Sequence, residues 1–576
     1  MIFDARDLPN GQELTADLCI VGAGAAGIAM ALALIDSGLE VLVLESGGLT
    51  AERTTQALYA GSVADEKLHS PPDRYRERRF GGSTTIWGGR CVPLDDIDFE
   101  SRPYLPLSGW PLRAEQLQPF YVRANRLCEA GEFAYTAGSA FRAPPPPMID
   151  GFRSPHFSSD TLERFSCPTD FGARYRQRLE AAGKVRVLLH ANLTQVALTS
   201  QGDAVDHLVA STLLGSHLKV RARQHVLAMG GLEVPRTLLA NRDVHAQGIG
   251  NRHDLVGRHY MCHIAGTIGT LKLNLPREDV RHGYDISDEG IYCRRRLALG
   301  AEAQRKLGVG NFIARLHHPR MTDPAHRTGI LSLLILAKAF VPYEYGKRLH
   351  GGEPLGWGDW ARHARNVLGD PYDTARFLWH WLRFRTLAER KFPSIVVRPR
   401  ANRFSLDFHS EQQPLFDSRV SLGPERDALG LQRLHIDWRY SDWDIRTVLV
   451  ALDLFAEDVQ RSGIGSFDFD RDSLEAEVMR YGAYGGHHLG TTRMGHDPKT
   501  SVVDADGCVH GVHNLHIASG ATFPTSSQAN PTLTIVALAL RLADHLEARL
   551  TAASRPMTAP AVAGVQDSRT LAGATP

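Results

Sequence analysis

The chain has 576 residues, 43% of them apolar. That is longer than the ~250–300 residues one hydrophobic core usually serves, so more than one domain is expected. Its 65 basic and 64 acidic residues leave a formal charge of +1, which argues against a nucleic-acid protein held by one large basic field. Seven cysteines, widely spaced and without a CxxC pair, fit neither a disulfide framework nor a recognisable zinc or iron–sulfur site, so no metal is expected.

Met1 to Asn10 is mixed in character and the first apolar run is the strand that follows it. No secretory signal is read there, and a cytoplasmic location is expected, with export beside a signal-bearing partner left open. The apolar strand Ala16 to Val21 runs into Gly22-x-Gly24-x-x-Gly27 and then into the alanine-rich stretch Ile28 to Ser37. Strand, turn and helix in that order are the context a dinucleotide fingerprint requires. Gly22 suits the tight turn, Gly24 lets backbone approach a pyrophosphate, Gly27 lets helix and strand pack closely, and the helix N-terminus favours phosphate. A second strand, Val41 to Leu44, delivers Glu45 about twenty residues on, where a carboxylate can accept from ribose hydroxyls.

These features do not separate NAD from FAD. The segment Arg79 to Arg90 bears on that choice, with Gly81-Gly82 and Gly88-Gly89 flanking Ser83, Thr84 and Trp87. Glycines permit close backbone approach, and Ser83 and Thr84 can serve phosphate or ring atoms of a large ligand. Ala143 to Pro147 is an extended connector. Val226 to Arg236 is a strand ending in Gly230-Gly231 and entering a helix, which fits a return of the chain to the nucleotide fold. The apolar run Ile330 to Val341 contains Lys338 and is far short of the ~20 residues that span a bilayer.

Phe377 to Arg385 predicts an aromatic and basic helix, with Phe377, Trp381 and Phe384 at helical spacing. It reads either as a helix packed on the substrate side or as an interfacial surface for a peripheral membrane or electron-transfer partner. Ser405 to His409, Arg419 to Leu422 and Leu434 to Trp438 predict strands of an antiparallel sheet, a roof from which His409, Glu411 and Gln412 are weak candidates for reaching a substrate.

Near the C-terminus, Gly486 to Gly495 carries His487 and His488, and Asn530-Pro531-Thr532 follows about forty residues later. A histidine near neutral pKa is a natural general base, and a side-chain amide beside it can hold the same hydroxyl. Loss of the hydroxyl proton makes hydride departure favourable, so the pair suggests oxidation of an alcohol. The catalytic candidates are one of these histidines and Asn530. Adjacent side chains on extended backbone face opposite ways, so only one of the two can face the site, and if that is His487, His488 is expected to be structural.

Taken together, the Gly22-x-Gly24-x-x-Gly27 turn with Glu45, the Gly81-Gly82-Ser83-Thr84 loop, the Gly230-Gly231 strand end and the His487 and Asn530 segments resemble the glucose-methanol-choline (GMC) family of FAD oxidoreductases. The resemblance spans residues 17 to 545. Around Trp87 and Thr532 it is closer to pyranose 2-oxidase-like enzymes and bacterial FAD sugar dehydrogenases. It implies an α/β fold, a discontinuous Rossmann-like FAD-binding domain with an α+β substrate domain built on an antiparallel sheet. It also implies FAD contacts from Gly22, Gly24, Gly27, Glu45, Gly81, Gly82, Ser83, Thr84, Trp87, Val196, Gly230, Ser519, Gly520, Pro531 and Thr532. His487 is the implied base because it lies three residues before Gly490, with hydride passing to flavin N5.

The domain expectation is residues 14–95, 155–260 and 480–550 for FAD, 96–154 as connector or lid, 262–479 for substrate, and a disordered tail at 551–576. The substrate expected is a secondary ring hydroxyl of a sugar or glycoside, with another alcohol (a polyol, an aminosugar, a steroid or an aliphatic alcohol) as the alternative. A noncatalytic flavin scaffold is the alternative class. Oxygen or another electron acceptor is required, and oligomeric state is not legible. Two positions depart from the family pattern: Ile86 stands where covalent relatives carry the flavin-linking histidine, so noncovalent FAD is expected, and Ser519 stands where many members carry an acid.

Overall fold

The computed structural model describes residues 1–337, 355–394, 396–397, 402–483 and 486–552. The strand Glu13–Val21 lies inside the largest sheet, hydrogen-bonded in parallel to Val41–Leu44 on one side and His217–Leu227 on the other. Val41–Leu44 pairs with Val185–Leu189, which pairs with Ile2–Asp4, while Leu515–Ile517 joins His217–Leu227, all in parallel. Each residue of Val41–Leu44 is buried, as expected for a parallel strand covered on both faces. An antiparallel meander, Asn192–Leu198 and Val205–Ser211 beside His217–Leu227, completes the sheet.

The helix Ala25–Ala33 packs against the C-terminal helix Thr532–Ala552. Small side chains on the first helix permit the approach, and Leu533, Val536, Leu540 and Leu546 bury the apolar face of the second. The sheet thus closes through distant sequence, since residues from both ends of the chain share one core.

Above this lies a six-stranded antiparallel sheet among the described residues: Gly465–Asp468, Ile264–Leu273, Arg403–Ser410, Phe312–His317, Leu297–Leu299 and Phe157–Ser158. The long helix Asp442–Arg461 packs on it through Val448, Leu452, Phe455 and Val459. A capping box starts that helix, with Ser441 N–H donating to Asp444 Oδ2 at 2.8 Å, which satisfies a backbone donor the first turn leaves open.

Three sequence expectations change here. Arg419–Arg426 and Gln432–Asp437 do pair antiparallel, but in a separate three-stranded sheet completed by Gly61–Val63. Gly61 makes that possible, because a Cβ there would meet Leu434 O at 2.4 Å. Phe157–Ser158 and Leu162–Phe165, inside the 155–260 segment assigned to the nucleotide fold, pair outside the nucleotide sheet. Finally, Thr551 and Ala552 of the expected tail end a helix, and 553–576 lie outside the described residues.

The aromatic segment forms the helix Pro371–Trp381 and a π-helical turn, Leu382–Thr386. Phe377 packs against Ile330, Leu331 and Val397, whereas Trp379 is 62% exposed. The packed reading therefore holds for one face only. Among the described residues no helix is long and apolar enough to cross a membrane; Lys338 and Val341 of the apolar run lie outside them.

Candidate active site

A cavity of about 470 Å³ runs between the nucleotide sheet and the antiparallel roof. Its lining includes Gly22, Gly24, Glu45, Gly82, Ser83, Thr84, Trp87, Gly230, Ser519, Gly520, Pro531 and Thr532, together with His487 and Asn530. Stretches from both ends of the chain, Gly22 to Glu45 and His487 to Thr532, therefore meet at one site with Gly82 to Trp87 and Gly230.

At the nucleotide end, Gly22 has φ +105°, and a Cβ on it would meet Ala228 O at 2.7 Å. Gly24 has nothing within 4 Å of an ideal Cβ, so its backbone borders open space where a pyrophosphate can approach. Glu45 is buried and accepts from Ala23 N–H at 2.8 Å and Gly47 N–H at 2.9 Å. Ser46 Oγ adds a longer bond to Oε1 at 3.3 Å, and Oε2 keeps a lone pair for a further donor. These open cradles and the buried acid fit a dinucleotide such as FAD.

Three expected contacts differ. Gly27 does not line the cavity; its Cβ would meet Gly22 O at 1.9 Å, so its place is in helix–strand packing. Gly81 lies behind the wall with φ +95°, its N–H given to Ala23 O at 2.8 Å. Val196 is 2% exposed, donates its N–H to Asn241 Oδ1 at 2.8 Å and does not reach the cavity, which Leu193 and Thr194 line instead. Alternation alone would put Thr194 and Val196 on one face; the pairing with Val205–Ser211 shifts register between Leu193 and Gln195, and this irregularity at Thr194 breaks the alternation. Ser519 Oγ accepts from Ala521 N–H at 3.2 Å and caps the turn Gly520–Thr522.

At the other end, Asn530 Nδ2 lies 3.2 Å from His487 Nε2, and His487 Nδ1 lies 2.9 Å from His263 Nδ1. An amide nitrogen only donates, so His487 Nε2 holds a lone pair and its proton sits on Nδ1 toward His263. Asn530 Oδ1 is buried without a hydrogen-bond partner among the described residues. A buried, unsatisfied acceptor costs ~1–3 kcal/mol, and a hydroxyl entering the cavity would satisfy it. Burial first, then His263 and Arg90, lower the His487 pKa well below 6.5, so the ring is neutral at physiological pH.

His488 departs from the expectation of a residue turned away, because it too lines the cavity. Gly486 has φ +67° and His488 N–H bonds to Gly486 O at 3.2 Å. The backbone turns here, and strand alternation does not apply. Behind His488 sits a buried chain: His69 Nδ1 is 2.6 Å from Ser70 O, His69 Nε2 is 2.8 Å from Tyr260 Oη, and Tyr260 Oη is 2.6 Å from His488 Nδ1. A carbonyl only accepts, so a neutral His69 carries its proton on Nδ1 and Tyr260 donates to Nε2. His488 Nδ1–H then donates to Tyr260, leaving Nε2 bare, and that atom has no partner among the described residues. Ligand atoms of His69, Cys262 and His488 come within 4.8 Å of one another, a grouping the widely spaced sequence positions conceal. The Tyr260 phenol bonds all of them, with Cys262 Sγ at 3.3 Å.

Of the roof residues, only His409 lines the cavity. Glu411 is held by Arg102 through two 2.7 Å bonds, and Gln412 Oε1 accepts from Cys262 N–H at 2.7 Å and Trp438 Nε1–H at 3.0 Å. Both are structural. Sequence reasoning passed over Arg90, Phe165, Tyr284 and Arg385, all of which line the cavity; scattered arginines and aromatics carry no motif.

Burial governs acid stability. His225, His259, His263, His326 and His516 are each lowered from 6.5 to about 4, with desolvation the largest cause. Below 6.5 the unfolded chain binds protons these folded histidines refuse, so stability falls as pH drops from 6.5 toward 4. Asp98 and Asp444, raised to about 7 chiefly by burial, act in the opposite sense over the same range, but they are fewer. Each unopposed histidine contributes up to ~1.4 kcal/mol per pH unit. Thermal midpoints recorded from pH 7 to pH 5 should fall steadily; a flat profile contradicts the burial assigned to these rings.

Residues 17–350 match the family described as FAD dependent oxidoreductase, and residues 414–539 match GMC oxidoreductase. The chain is similar to paromamine 6'-oxidase of Streptomyces fradiae, 25% identical over 94% of this chain and 92% of the relative. It is 23% identical to the fructose dehydrogenase large subunit of Gluconobacter japonicus, over 93% of this chain and 98% of that one. C-glycoside 3-oxidase of Microbacterium trichothecenolyticum is 36% identical over a shorter stretch, 22% of this chain and 23% of the relative. With the nucleotide cradle, the His487–Asn530 pair and these matches in place, the chain belongs to the GMC family of FAD-dependent oxidoreductases, enzymes that oxidise alcohols.

Proposed function

We propose that the protein oxidises a secondary ring hydroxyl of a sugar or glycoside to a carbonyl. The observation that carries this reading is the His487 Nε2 lone pair 3.2 Å from Asn530 Nδ2 at the cavity wall. Bound FAD supplies the hydride acceptor. His487 takes the hydroxyl proton at Nε2, and Asn530 holds the hydroxyl oxygen through its amide. His263 at Nδ1 fixes the ring orientation and receives the Nδ1 proton's hydrogen bond. Gly22, Gly24, Gly82, Ser83, Thr84 and Glu45 would hold the cofactor's phosphates and ribose, and Trp87 would form part of the wall beside it. The similarity to paromamine 6'-oxidase, fructose dehydrogenase and C-glycoside 3-oxidase supports a sugar-like substrate.

A site built for several hydroxyls loses hydrogen-bond partners when a plain alcohol binds. In a panel of pyranosides, polyols, methanol, choline and long-chain alcohols with an artificial acceptor, a pyranoside should turn over fastest. Faster turnover of a simple alcohol than of every pyranoside overturns this assignment.

FAD is held without a covalent bond in this reading. Ile86 lines the cavity and offers only hydrocarbon, and Cys91 is fully buried and outside the lining. Acid precipitation should release the yellow cofactor and leave a polypeptide of unmodified mass; a denatured protein one flavin heavier refutes it.

A further inference from the structure

Carboxylates and guanidiniums are unevenly placed around the substrate end of the cavity. Arg90 and Arg385 both line it. Arg90 neighbours His487 electrostatically, and its guanidinium lies 5.8 Å from the Phe165 ring. Phe165 meets Tyr284 at 5.1 Å between centroids, and Tyr284 meets Phe392 at 5.1 Å. Arg385 donates to the carbonyls of Phe392 and Pro393, the latter at 2.8 Å. The cavity wall therefore includes Arg90, Phe165, Tyr284 and Arg385, with Phe392, outside the lining, packed on Tyr284.

The anions stand behind this wall. Glu163 lies 3.6 Å from Arg90, and Asp407 lies 3.1 Å from Arg315, which also bonds Glu163. Neither carboxylate lines the cavity. Arg385 is bound to neutral carbonyls, so those bonds do not cancel its charge. The carboxylates that do line the cavity among the described residues are Glu45, Glu77 and Glu233. Glu45 is bound to the fingerprint turn and Glu233 is paired with Arg76, Arg78 and Arg236. Glu77 lies between Arg76 and Arg78 in the same stretch.

We infer that this cavity ranks glycosides by charge, taking a carboxylate-bearing sugar or aglycone best, a neutral glycoside next and an amino sugar worst, with Arg90 and Arg385 as the determinants. The inference rests on the sugar-oxidation reading and narrows it. An ammonium group against a cationic, partly desolvated wall is repelled, whereas a carboxylate gains charge-assisted hydrogen bonds from a guanidinium fork. The aromatic faces of Phe165 and Tyr284 suit the apolar face of a sugar ring or aglycone. Full-length similarity to paromamine 6'-oxidase therefore does not carry that relative's substrate to this chain.

The test uses the holoenzyme and three matched probes: methyl glucoside, methyl glucuronide and methyl 2-amino-2-deoxyglucoside, at a pH that keeps the ammonium charged. Binding is read from perturbation of the oxidised flavin spectrum, and reduction from bleaching. The glucuronide should bind at least tenfold tighter than the aminosugar, with the glucoside between, and the spread should shrink at high salt. Arg385→Glu should invert the order of the charged probes; Arg385→Gln, the milder change, should flatten the order. Equal or tighter binding of the aminosugar by the unmodified enzyme overturns the charge ranking and leaves sugar oxidation standing. No spectral response to any of the three overturns both.

Discussion

His487→Ala should leave FAD bound and slow flavin reduction by substrate about 10²- to 10⁴-fold, the range over which general acid–base groups act. The phosphate cradle lies at the opposite end of the cavity, so cofactor content should not change. Rapid mixing of oxidised enzyme with a turned-over sugar is the measurement. Asn530→Ala should also slow reduction, by loosening the hydroxyl and His487 together. The structure sharpens the control, because His488 also lines the cavity and its Nε2 has no hydrogen-bond partner among the described residues. His488→Ala should retain most of the rate. If His488→Ala abolishes bleaching and His487→Ala does not, the base has been assigned to the wrong neighbour.

The second large effect is on stability. Arg102 and Glu411 are almost wholly buried, with side-chain exposures of 1% and 0%. Besides its two bonds to Arg102, Glu411 accepts from Asn311 N–H at 3.0 Å. Arg102→Leu removes the guanidinium and strands Glu411 beside buried Asp98, and losing one partner of a buried pair costs about 3–5 kcal/mol. Replacing both residues, Arg102→Leu with Glu411→Leu, should restore much of the loss. Thermal midpoints of the holoenzyme decide it: a single variant melting like the parent means this pair carries no net weight.

The same network reaches the active site. Ser527 Oγ donates to Asp98 at 2.6 Å, Gln412 N–H donates to Ser526 Oγ at 2.8 Å, and Arg296 donates to Gln528 Oε1 at 3.0 Å. These bonds hold the loop that ends in Asn530. Arg102→Leu should accordingly slow flavin reduction in the surviving folded fraction, although Arg102 does not line the cavity.

The nucleotide end was legible in the chain because local rules govern it. A glycine that must turn, or that must let helix and strand approach to contact, leaves a spacing that survives in sequence; Gly22 and Gly27 sit where that spacing puts them. The continuous apolar run Val41 to Leu44 likewise announces a strand buried on both faces. The His487 and Asn530 residue types are readable as chemistry, and their meeting is a tertiary fact.

What the chain could not disclose depends on partners far away in sequence. Which residues of Asn192–Leu198 reach the cavity depends on the register shift in that strand's pairing with Val205–Ser211. Whether His488 faces it is set by the turn at Gly486, where local backbone overrides alternation. The Tyr260 bridge between His69 and His488, and the positive wall of Arg90 and Arg385 with its counter-charges behind it, require residues hundreds of positions apart to be brought within a few ångströms. Short-range periodicity carries no record of such contacts, because their energy comes from desolvation and pairing that exist only once the two sheets have closed over the cavity.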